Sequence, residues 1–546
     1  MHARHLNATL LLLCSFLSIA IGPTAASAQR ERTVSPAVTP TPLLSPSVAP
    51  TPGGSTKPVQ TIDLLQSRIR QAVFSPEIRR GRLGIKIVSL NTGKVVFEND
   101  ADKYFMPASN MKNFTVAAAI ERLTPDFRFA TSVYSGSTIE PGGTVKGDLR
   151  IVGRGDITAS AAFTQDSAPA NGSGKPDADS IYFRGIDKLA DKIVAAGVKR
   201  VEGGLIGDES YFKGFAIPST WEWDDLQWYY GAEISALPIN DNAIELSVQP
   251  GSLGGPCNAK VVPANPVVTI VNRCITSSGS QARDLGVTKK LDRNIIEVRG
   301  TVPVGDRGFK GYVTVTHPAD LFVALLKQRL QAKGVTITGN VWTTDSYKDP
   351  AGLIPVEIAK LESPPLSLIA AKTMKPSQNM YTETLLWTLG EQIGRPSYAN
   401  GESSALGLRV VKDFLRQAGV PDESVLQYDG SGISRHDLVT PSAVTALYTY
   451  MAKQSRYSQA WRDSLTIGGI DGTLGNRFKG TAAANNIRGK TGTLDQVSAL
   501  SGYVKTAGGE ELVISIIVNG VADQRKRTAL IDEIVVHLAN YNGRID

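Results

Sequence analysis

The chain has 546 residues, of which 42% are hydrophobic and 20% charged, with a formal net charge of +7 and three cysteines. That charge is modest for the length and no long run of Lys or Arg concentrates it, which argues against nucleic-acid binding and suits work near anionic envelope polymers. Beyond the first residues the only histidines are His317, His436 and His537. No His/Cys/carboxylate cluster has metal-ligand spacing, so neither a metal centre nor a cofactor is expected.

Arg4 and His5 precede an apolar run over residues 10–21, and Ala26-Ser27-Ala28 follows as an A-x-A cleavage signature. The run is shorter than the about 20 apolar residues that a membrane span takes. Residues 1–28 therefore read as a cleaved signal peptide and not as a transmembrane anchor. Cys14 follows Leu11-Leu12-Leu13, but Leu13 is bulky where a lipoprotein site wants a small residue. An exported protein is expected, periplasmic or otherwise extracytoplasmic. Residues 29–58 are rich in Pro, Thr and Ser, as in Val38-Thr39-Pro40-Thr41-Pro42, a composition that buries no core and behaves as a semi-extended tether. The folded part is expected from Val59, with about 490 residues and room for about three domains.

Strand-like runs over 83–90 and 94–97 flank Asn91-Thr92-Gly93, a hairpin signal. Next comes Pro107-Ala108-Ser109-Asn110-Met111-Lys112, where a helical pattern opens through Met111, Phe114, Ala117, Ala118 and Ile120 and closes at Leu123-Thr124-Pro125. At i and i+3 Ser109 and Lys112 share a face, so the amine can reach the hydroxyl. The first turn also presents unpaired N–H groups and positive dipole to a developing oxyanion. A serine so placed is a candidate activated nucleophile. The pattern alone is weak: Ser210-Tyr211-Phe212-Lys213 repeats it, and a helix cap beside a solvated lysine is the commoner meaning.

From about 127 the texture turns to short β-rich runs broken by glycine, over 148–152, 243–248, 267–271 and 312–315. Residues 164–180 are small, polar and proline-containing, a mobile loop by composition, and helices are expected over 186–196 and 319–332. Cys257 and Cys274 fall in this region; they either form a disulfide, worth about 3 kcal/mol in the chain-entropy model, or remain buried thiols. After Pro365 helices are expected over 366–374, 380–393 and 408–418, then a strand meander over 487–493, 499–505 and 511–518. A final amphipathic helix over 526–541 carries Leu530, Ile531, Ile534, Val535 and Leu538. Hairpin first, meander and helix last can complete one sheet with helices packed on it, which makes the chain α+β with a β-rich insertion.

Ser377-Gln378-Asn379 falls between two helical segments, and Lys490-Thr491-Gly492-Thr493 opens a strand. Each is weak alone; Ser89-Leu90-Asn91 is another Ser-x-Asn inside the hairpin. In this order and context, Ser-x-x-Lys, Ser-x-Asn and Lys-Thr-Gly are the motif set of penicillin-binding proteins and serine β-lactamases. Asp429-Gly430-Ser431-Gly432-Ile433-Ser434-Arg435, Gly469-Ile470-Asp471-Gly472-Thr473-Leu474, Trp223, Tyr230-Gly231-Ala232 and Ser235-Ala236-Leu237 narrow the match. From about Val59 onward the chain resembles the D-alanyl-D-alanine carboxypeptidase/endopeptidases, the class C low-molecular-mass penicillin-binding proteins. The resemblance implies a penicillin-binding/serine β-lactamase-like transpeptidase domain built from residues 59–126 and 346–546. Residues 127–345 would be a β-rich insertion of two nested domains. It also implies peptidoglycan stem peptides as substrates and β-lactams as inhibitors, and leaves the oligomeric state open.

By the same resemblance, Ser109 attacks the carbonyl of the penultimate D-alanine and Lys112 accepts its proton, its pKa lowered by burial and by the charge of Lys490. Ser377 relays a proton to the leaving amine, and Asn379 holds Lys112 and the substrate amide. Lys490, Thr491 and Thr493 bind the terminal carboxylate, while Gly492 lets the substrate backbone lie against the strand. The backbone N–H groups of Ser109 and Thr493 form the oxyanion hole. Asp208, in Gly207-Asp208-Glu209-Ser210-Tyr211-Phe212, is the aspartate expected to contact the diamino acid's free amine. Gln378 departs from the family's acidic residue at a position peripheral to the proton path. A transpeptidase is disfavoured by the cleavable signal, and other readings fit less well. A β-lactamase needs a deacylating base, and no Glu-x-x-x-Asn segment supplies one. An idle wall-binding scaffold has no reason to keep both Lys112 and Lys490. A Ser-His-Asp hydrolase using His436 lacks a Gly-x-Ser-x-Gly elbow.

Overall fold

The computed structural model describes residues 58–76, 78–163 and 180–545. The expected signal peptide, the tether apart from Pro58, and the 164–180 loop apart from Ser180 lie outside the described residues. The first and last strands meet in one antiparallel six-stranded sheet, in the order Thr466–Ile467, Arg488–Leu494, Val497–Lys505, Glu511–Asn519, Arg82–Ser89 and Val95–Asn99. Leu83 lies opposite Val518 and Ile87 opposite Ile514.

Both faces of this sheet are covered, which is why its central strands read as continuous apolar runs rather than as alternation. Leu512, Ile514, Ile516 and Val518 pack with the helices Ile62–Val73 and Gln524–Asn540. Val513 and Ile517 point the other way, into a helical layer built around Lys112–Leu123. Burying each such side chain contributes about 1.5–3 kcal/mol relative to leaving it exposed. Every residue from Lys112 to Ile120 is buried, so this is a core helix rather than a surface one, and its Val116-Ala117-Ala118-Ala119 run lets neighbours approach closely. Around it lie Leu366–Met374, Asn379–Leu389, Ser403–Gln417 and Pro441–Lys453.

A separate core, running from Val133 to Ala359, organises the middle of the chain. Its largest sheet has the order Val341–Thr344, Leu205–Asp208, Leu149–Val152, Ala130–Ser135 and Val356–Glu362, flanked by the helices Ser180–Ala195 and Pro318–Ala332. Val356–Glu362 lies beyond residue 345, yet pairs antiparallel with Ala130–Ser135. Two three-stranded sheets stand farther along the chain, one of Ala243–Gln249, Asn258–Val262 and Phe309–Thr314, the other of Thr269–Ser277, Asp284–Lys289 and Ile295–Pro303. A disulfide joins Cys257 to Cys274, 17 residues apart, and resolves that choice.

Most expected elements are present with ends moved by a few residues. The helix expected over 380–393 is instead α-helical over Asn379–Leu389, with a wider π turn over Gly390–Gly394. Four α-helices of the described residues had no counterpart in the sequence reading: Ile62–Val73, Arg395–Tyr398, Pro441–Lys453 and Ser458–Ser464. Among the described residues no helix is long and apolar enough to cross a membrane.

Candidate active site

Ser109 and Lys112 do not share an α-helix, as their spacing predicts. Ala108–Met111 is a turn of 3-10 helix that passes into the α-helix at Lys112. Side chains at i and i+3 eclipse in a 3-10 turn, so the tighter winding brings the pair together more directly. Lys112 Nζ lies 2.9 Å from Ser109 Oγ. The turn opens on Ala108 at φ 48°, a conformation that costs energy for a residue with a Cβ and needs support from its surroundings. Two glycines supply that support by letting backbone press against it. A Cβ on Gly432 would stand 1.9 Å from Ala108 O, and one on Gly492 would stand 2.4 Å from Pro107 O. The bare α-carbon of Gly492 thus makes room for the Ser109 turn.

Lys112 is fully buried and also contacts Asn379 Oδ1 at 2.6 Å and Ser431 O at 2.7 Å. Both of those groups only accept, so they hold two N–H bonds of the amine. In the neutral amine the remaining lone pair faces the Ser109 hydroxyl. Burial lowers the Lys112 pKa from 10.5 to about 7, against the opposing pull of Asp429, Glu383 and Asp437. Burial therefore carries the shift, and Lys490 is not among its leading causes.

Those three acids form the floor under Lys112. Glu383 accepts from the backbone N–H groups of Gly430 at 2.9 Å and Ser431 at 2.7 Å. Asp429 accepts from Gly432 N at 2.6 Å, Ser434 N at 2.8 Å and Trp221 Nε1 at 2.9 Å. Asp437 accepts from Tyr428 N at 2.7 Å. Burial and the neighbouring Asp429 push the Glu383 carboxyl up to about 8 and the Asp437 carboxyl upward as well.

The second and third motifs close the site. Ser377, at φ 66°, joins Leu366–Met374 to Asn379–Leu389. Lys490 Nζ donates to Ser377 Oγ at 2.8 Å and to Thr491 O at 2.9 Å, so a second serine–lysine pair faces the first. Asn379 Nδ2 donates to Tyr230 O at 2.9 Å, and Asn110 Nδ2 to Lys490 O at 3.1 Å. Thr491 Oγ1 donates to Thr473 Oγ1 at 2.7 Å, while Thr493 is half-buried opposite Ser498 on the neighbouring strand. Ser109, Lys112, Asn379, Ser377, Lys490 and Thr491 are thus gathered at one place.

Asp208 is not gathered with them. It is buried in the middle region's sheet, 3.6 Å from Arg150, and accepts from Ser210 N at 2.9 Å. The cross-strand arginine is the ion-pair partner of this aspartate. His436 is exposed and packs edge-on against Tyr428, with ring centroids 5.5 Å apart.

Another acidic group lies beside the third-motif strand. Arg435 pairs with Glu222 at 2.8 Å and approaches Asp495 O, just past the Lys490-Thr491-Gly492-Thr493 strand. Asp225 faces the same group: burial raises its pKa to about 6, helped by Asp224, Glu222 and Asp495 and opposed by Arg435. The sequence reading passed over Glu383 and Asp225. The available signals were an acid four residues after Asn379, on the same helical face, and three acids packed between Trp221 and Tyr230.

The D-Ala-D-Ala carboxypeptidase 3 (S13) family matches residues 65–541. A D-alanyl-D-alanine carboxypeptidase of Actinomadura sp. (strain R39) is 33% identical over 491 residues, covering 88% of this chain and 85% of the relative. The D-alanyl-D-alanine carboxypeptidase DacB of Haemophilus influenzae is 24% identical over 80% of this chain and 85% of its own length. The crystal structure of penicillin binding protein 4 (dacB) from Haemophilus influenzae superposes with a TM-score of 0.72 at 22% identity, covering 89% of this chain and all (100%) of that one. A second structure of that protein, complexed with a β-lactam, gives a TM-score of 0.66 at 21% identity over 87% of this chain and 97% of that one.

Proposed function

The chain belongs to the D-Ala-D-Ala carboxypeptidase 3 (S13) family, and from that premise we propose that it is a serine-type D-Ala-D-Ala carboxypeptidase working through an acyl-enzyme on Ser109. The observation that carries the assignment of residues is the buried, depressed Lys112 amine 2.9 Å from Ser109 Oγ. A general base works best with a pKa near the operating pH, and burial places this one there.

Ser109 Oγ bonds to the carbonyl carbon of the penultimate D-alanine while its proton passes to Lys112 Nζ. The carbonyl oxygen, now negative, is met by the backbone N–H groups of Ser109 and Thr493, which need no reorganisation as charge develops. Collapse breaks the C–N bond, and the departing amine of the terminal D-alanine takes a proton through Ser377. That hydroxyl already lies 2.8 Å from Lys490 Nζ, which can restore its proton. Water then attacks the acyl ester by the same path in reverse, and Ser109 recovers its proton. Lys490 and the Thr491 and Thr493 hydroxyls hold the substrate's terminal carboxylate. The substrate's free side-chain amine is met by carboxylates, for which Asp208 and the Glu222, Asp225 and Asp495 group are the candidates.

The peptidase domain is formed by the segments on either side of an insertion running over 127–362, seventeen residues longer than its sequence boundary suggests because Val356–Glu362 pairs with Ala130–Ser135 (362 against 345). The N-terminal Arg4–His5, apolar run and Ala26-Ser27-Ala28 direct export, and the protein acts on peptidoglycan outside the cytoplasm.

Labelling with a fluorescent penicillin, followed by peptide mapping, tests the reading. Label on the Ser109 peptide, absent from Ser109→Ala and released slowly as penicilloate, is the expected result. No label on folded wild-type protein would overturn the acyl-enzyme, and rapid turnover would make the protein a β-lactamase.

A further inference from the structure

Gly469-Ile470-Asp471-Gly472-Thr473-Leu474 carries part of the family resemblance but takes no step in the acyl transfer. The structure runs it between the second and third motifs. It leaves the edge strand Thr466–Ile467, where Thr466 lies opposite Gly489, the residue before Lys490. It then turns through the 3-10 helix Gly472–Leu474.

One side of this turn is fastened to Lys375, which stands just ahead of Ser377. Asp471 Oδ2 accepts from Lys375 Nζ at 2.6 Å, and Asp471 Oδ1 accepts from Ile467 N at 2.8 Å. Thr473 N donates to Lys375 O at 3.0 Å. Thr466 Oγ1 donates to Asp471 O at 2.8 Å. Gly472 sits among these bonds at φ 51°, where a Cβ would stand 2.4 Å from Lys375 O and 2.6 Å from Thr466 Oγ1. Side chains and backbone together therefore fix where Thr473 begins. Its hydroxyl then reaches the third motif, with Thr473 Oγ1 2.7 Å from Thr491 Oγ1. Thr473 is half-buried and Thr491 is buried.

Thr491 has a single hydroxyl proton, and without substrate Thr473 Oγ1 accepts it. A carboxylate can only accept, so Thr491 must turn that proton towards the substrate once the carboxylate arrives. Thr473 can answer by turning its own proton onto Thr491. The contact is then kept with its direction reversed, which a pure acceptor at 473 could not do. A hydroxyl that accepts one hydrogen bond also donates a stronger one. We propose that Thr473 is a positioning residue for the substrate's terminal carboxylate, acting through Thr491, with Asp471 and Lys375 holding it in place. The proposal rests on the reading of Thr491 as a carboxylate-binding residue and names the group that stands behind it.

The test compares a ligand that carries the carboxylate with one that lacks it. Second-order acylation is measured with benzylpenicillin and with its methyl ester, and the acid-to-ester ratio is taken for each protein. The proteins are wild type, Thr473→Val, Thr473→Ser, Thr491→Val and Thr473→Val/Thr491→Val. Thr473→Val keeps the branched shape and removes the hydroxyl, and its ratio should fall about three- to tenfold, the cost of one neutral hydrogen bond. Thr473→Ser restores the hydroxyl and should recover most of the ratio. The double variant should fall no further than Thr491→Val, because the two hydroxyls act in series. A purely structural role for Thr473 predicts that acid and ester slow alike with the ratio unmoved, and that result overturns the proposal. So do losses in the ratio that multiply in the double variant, which would make Thr473 act apart from Thr491. A wild-type ratio in Thr491→Val would remove the carboxylate reading of Thr491 and the proposal with it. If neither penicillin acylates the wild type, the acyl-enzyme reading falls. Calorimetric binding of D-alanyl-D-alanine and of its C-terminal amide then decides Thr473: a weaker preference for the acid in Thr473→Val supports the proposal, and an unchanged one overturns it.

Discussion

Two Ser-x-x-Lys segments occur in this chain, and the structure treats them in opposite ways. At Ser109–Lys112 the lysine is fully buried, bonded to three oxygens and depressed towards neutrality. At Ser210–Lys213 the lysine is exposed, and the segment is tied down through its backbone, with Lys213 N donating to Ser403 Oγ at 2.7 Å and Ser403 N donating back to Lys213 O at 2.8 Å. The second Ser-x-x-Lys is a docking turn. What makes a serine–lysine pair reactive is therefore not its spacing but the desolvation of the amine and the acceptors that fix its lone pair. The acids beneath Lys112 oppose its neutralisation, so burial has to outweigh them.

The contrast can be broken most decisively at the pairs themselves. Ser109→Ala and Lys112→Met should each lower penicillin acylation by about 10⁴-fold or more, whereas Ser210→Ala and Lys213→Met should stay within about twofold of wild type. A comparable loss at both segments would end the distinction. Next in size is Gly432→Ala: its Cβ would overlap Ala108 O at 1.9 Å, and φ of 81° strains any replacement. Displacing the Ser109 turn should slow acylation by about 100-fold, since small misplacement of reacting groups is costly.

The proton equilibrium of Lys112 sharpens the comparison further. The amine is raised out of its active form by protonation, so acylation should rise with pH up to about 7 and then level off. Below that midpoint the rate should fall about tenfold per pH unit. Glu383 raises the Lys112 pKa, so Glu383→Gln should move the midpoint down in stopped-flow profiles; an unmoved midpoint would remove Glu383 from the electrostatics. The smallest effects separate the two aspartates. Asp225→Asn should raise KM about three- to tenfold for a peptide with a free diamino side chain, and change penicillin acylation less. Asp208→Asn should cost about 1–3 kcal/mol of stability through the weakened Arg150 pair, read as a lower Tm, and a selective rise in KM on top of it would assign the substrate amine to Asp208.

The three motifs were legible because each combines a reactive residue with a recognisable break in structure: a helix entry, a gap between helices and a strand after a turn. The antiparallel meander was legible from its apolar runs, and both Glu511–Asn519 and Leu366–Met374 stand within a residue of their expected bounds. Ile62–Val73 was not, because only Leu65, Ile69, Ala72 and Val73 are buried among charged and amide residues, a stripe that a short polar segment shows weakly. Pro441–Lys453 did carry a start signal, Thr440 capping Ala443 N with proline at the first position, in a stretch where no periodicity was sought. The Arg150 partner of Asp208 was not legible, because it reaches the aspartate across a strand pairing that places Val152 opposite Asp208. The 3-10 winding at Ala108–Met111 depends on contacts with Gly432 and Gly492, far away in sequence and invisible to a local pattern.

The pairing of first strand with last also sets an order of events during synthesis. Met106 N bonds to Asn519 Oδ1 across 413 residues, and Asn110 bonds to Lys490 O across 380. The strands Ala130–Ser135 and Leu149–Val152, in contrast, are close neighbours and can pair as soon as both have emerged. The middle region can therefore fold while the serine turn still waits for the strand Arg488–Leu494 that will hold it. A chain interrupted before that strand carries the serine and its base but none of the third motif. Hydrolytic competence waits until Arg488–Leu494 has been made, so the order in which the residues are joined keeps the nascent site silent until then.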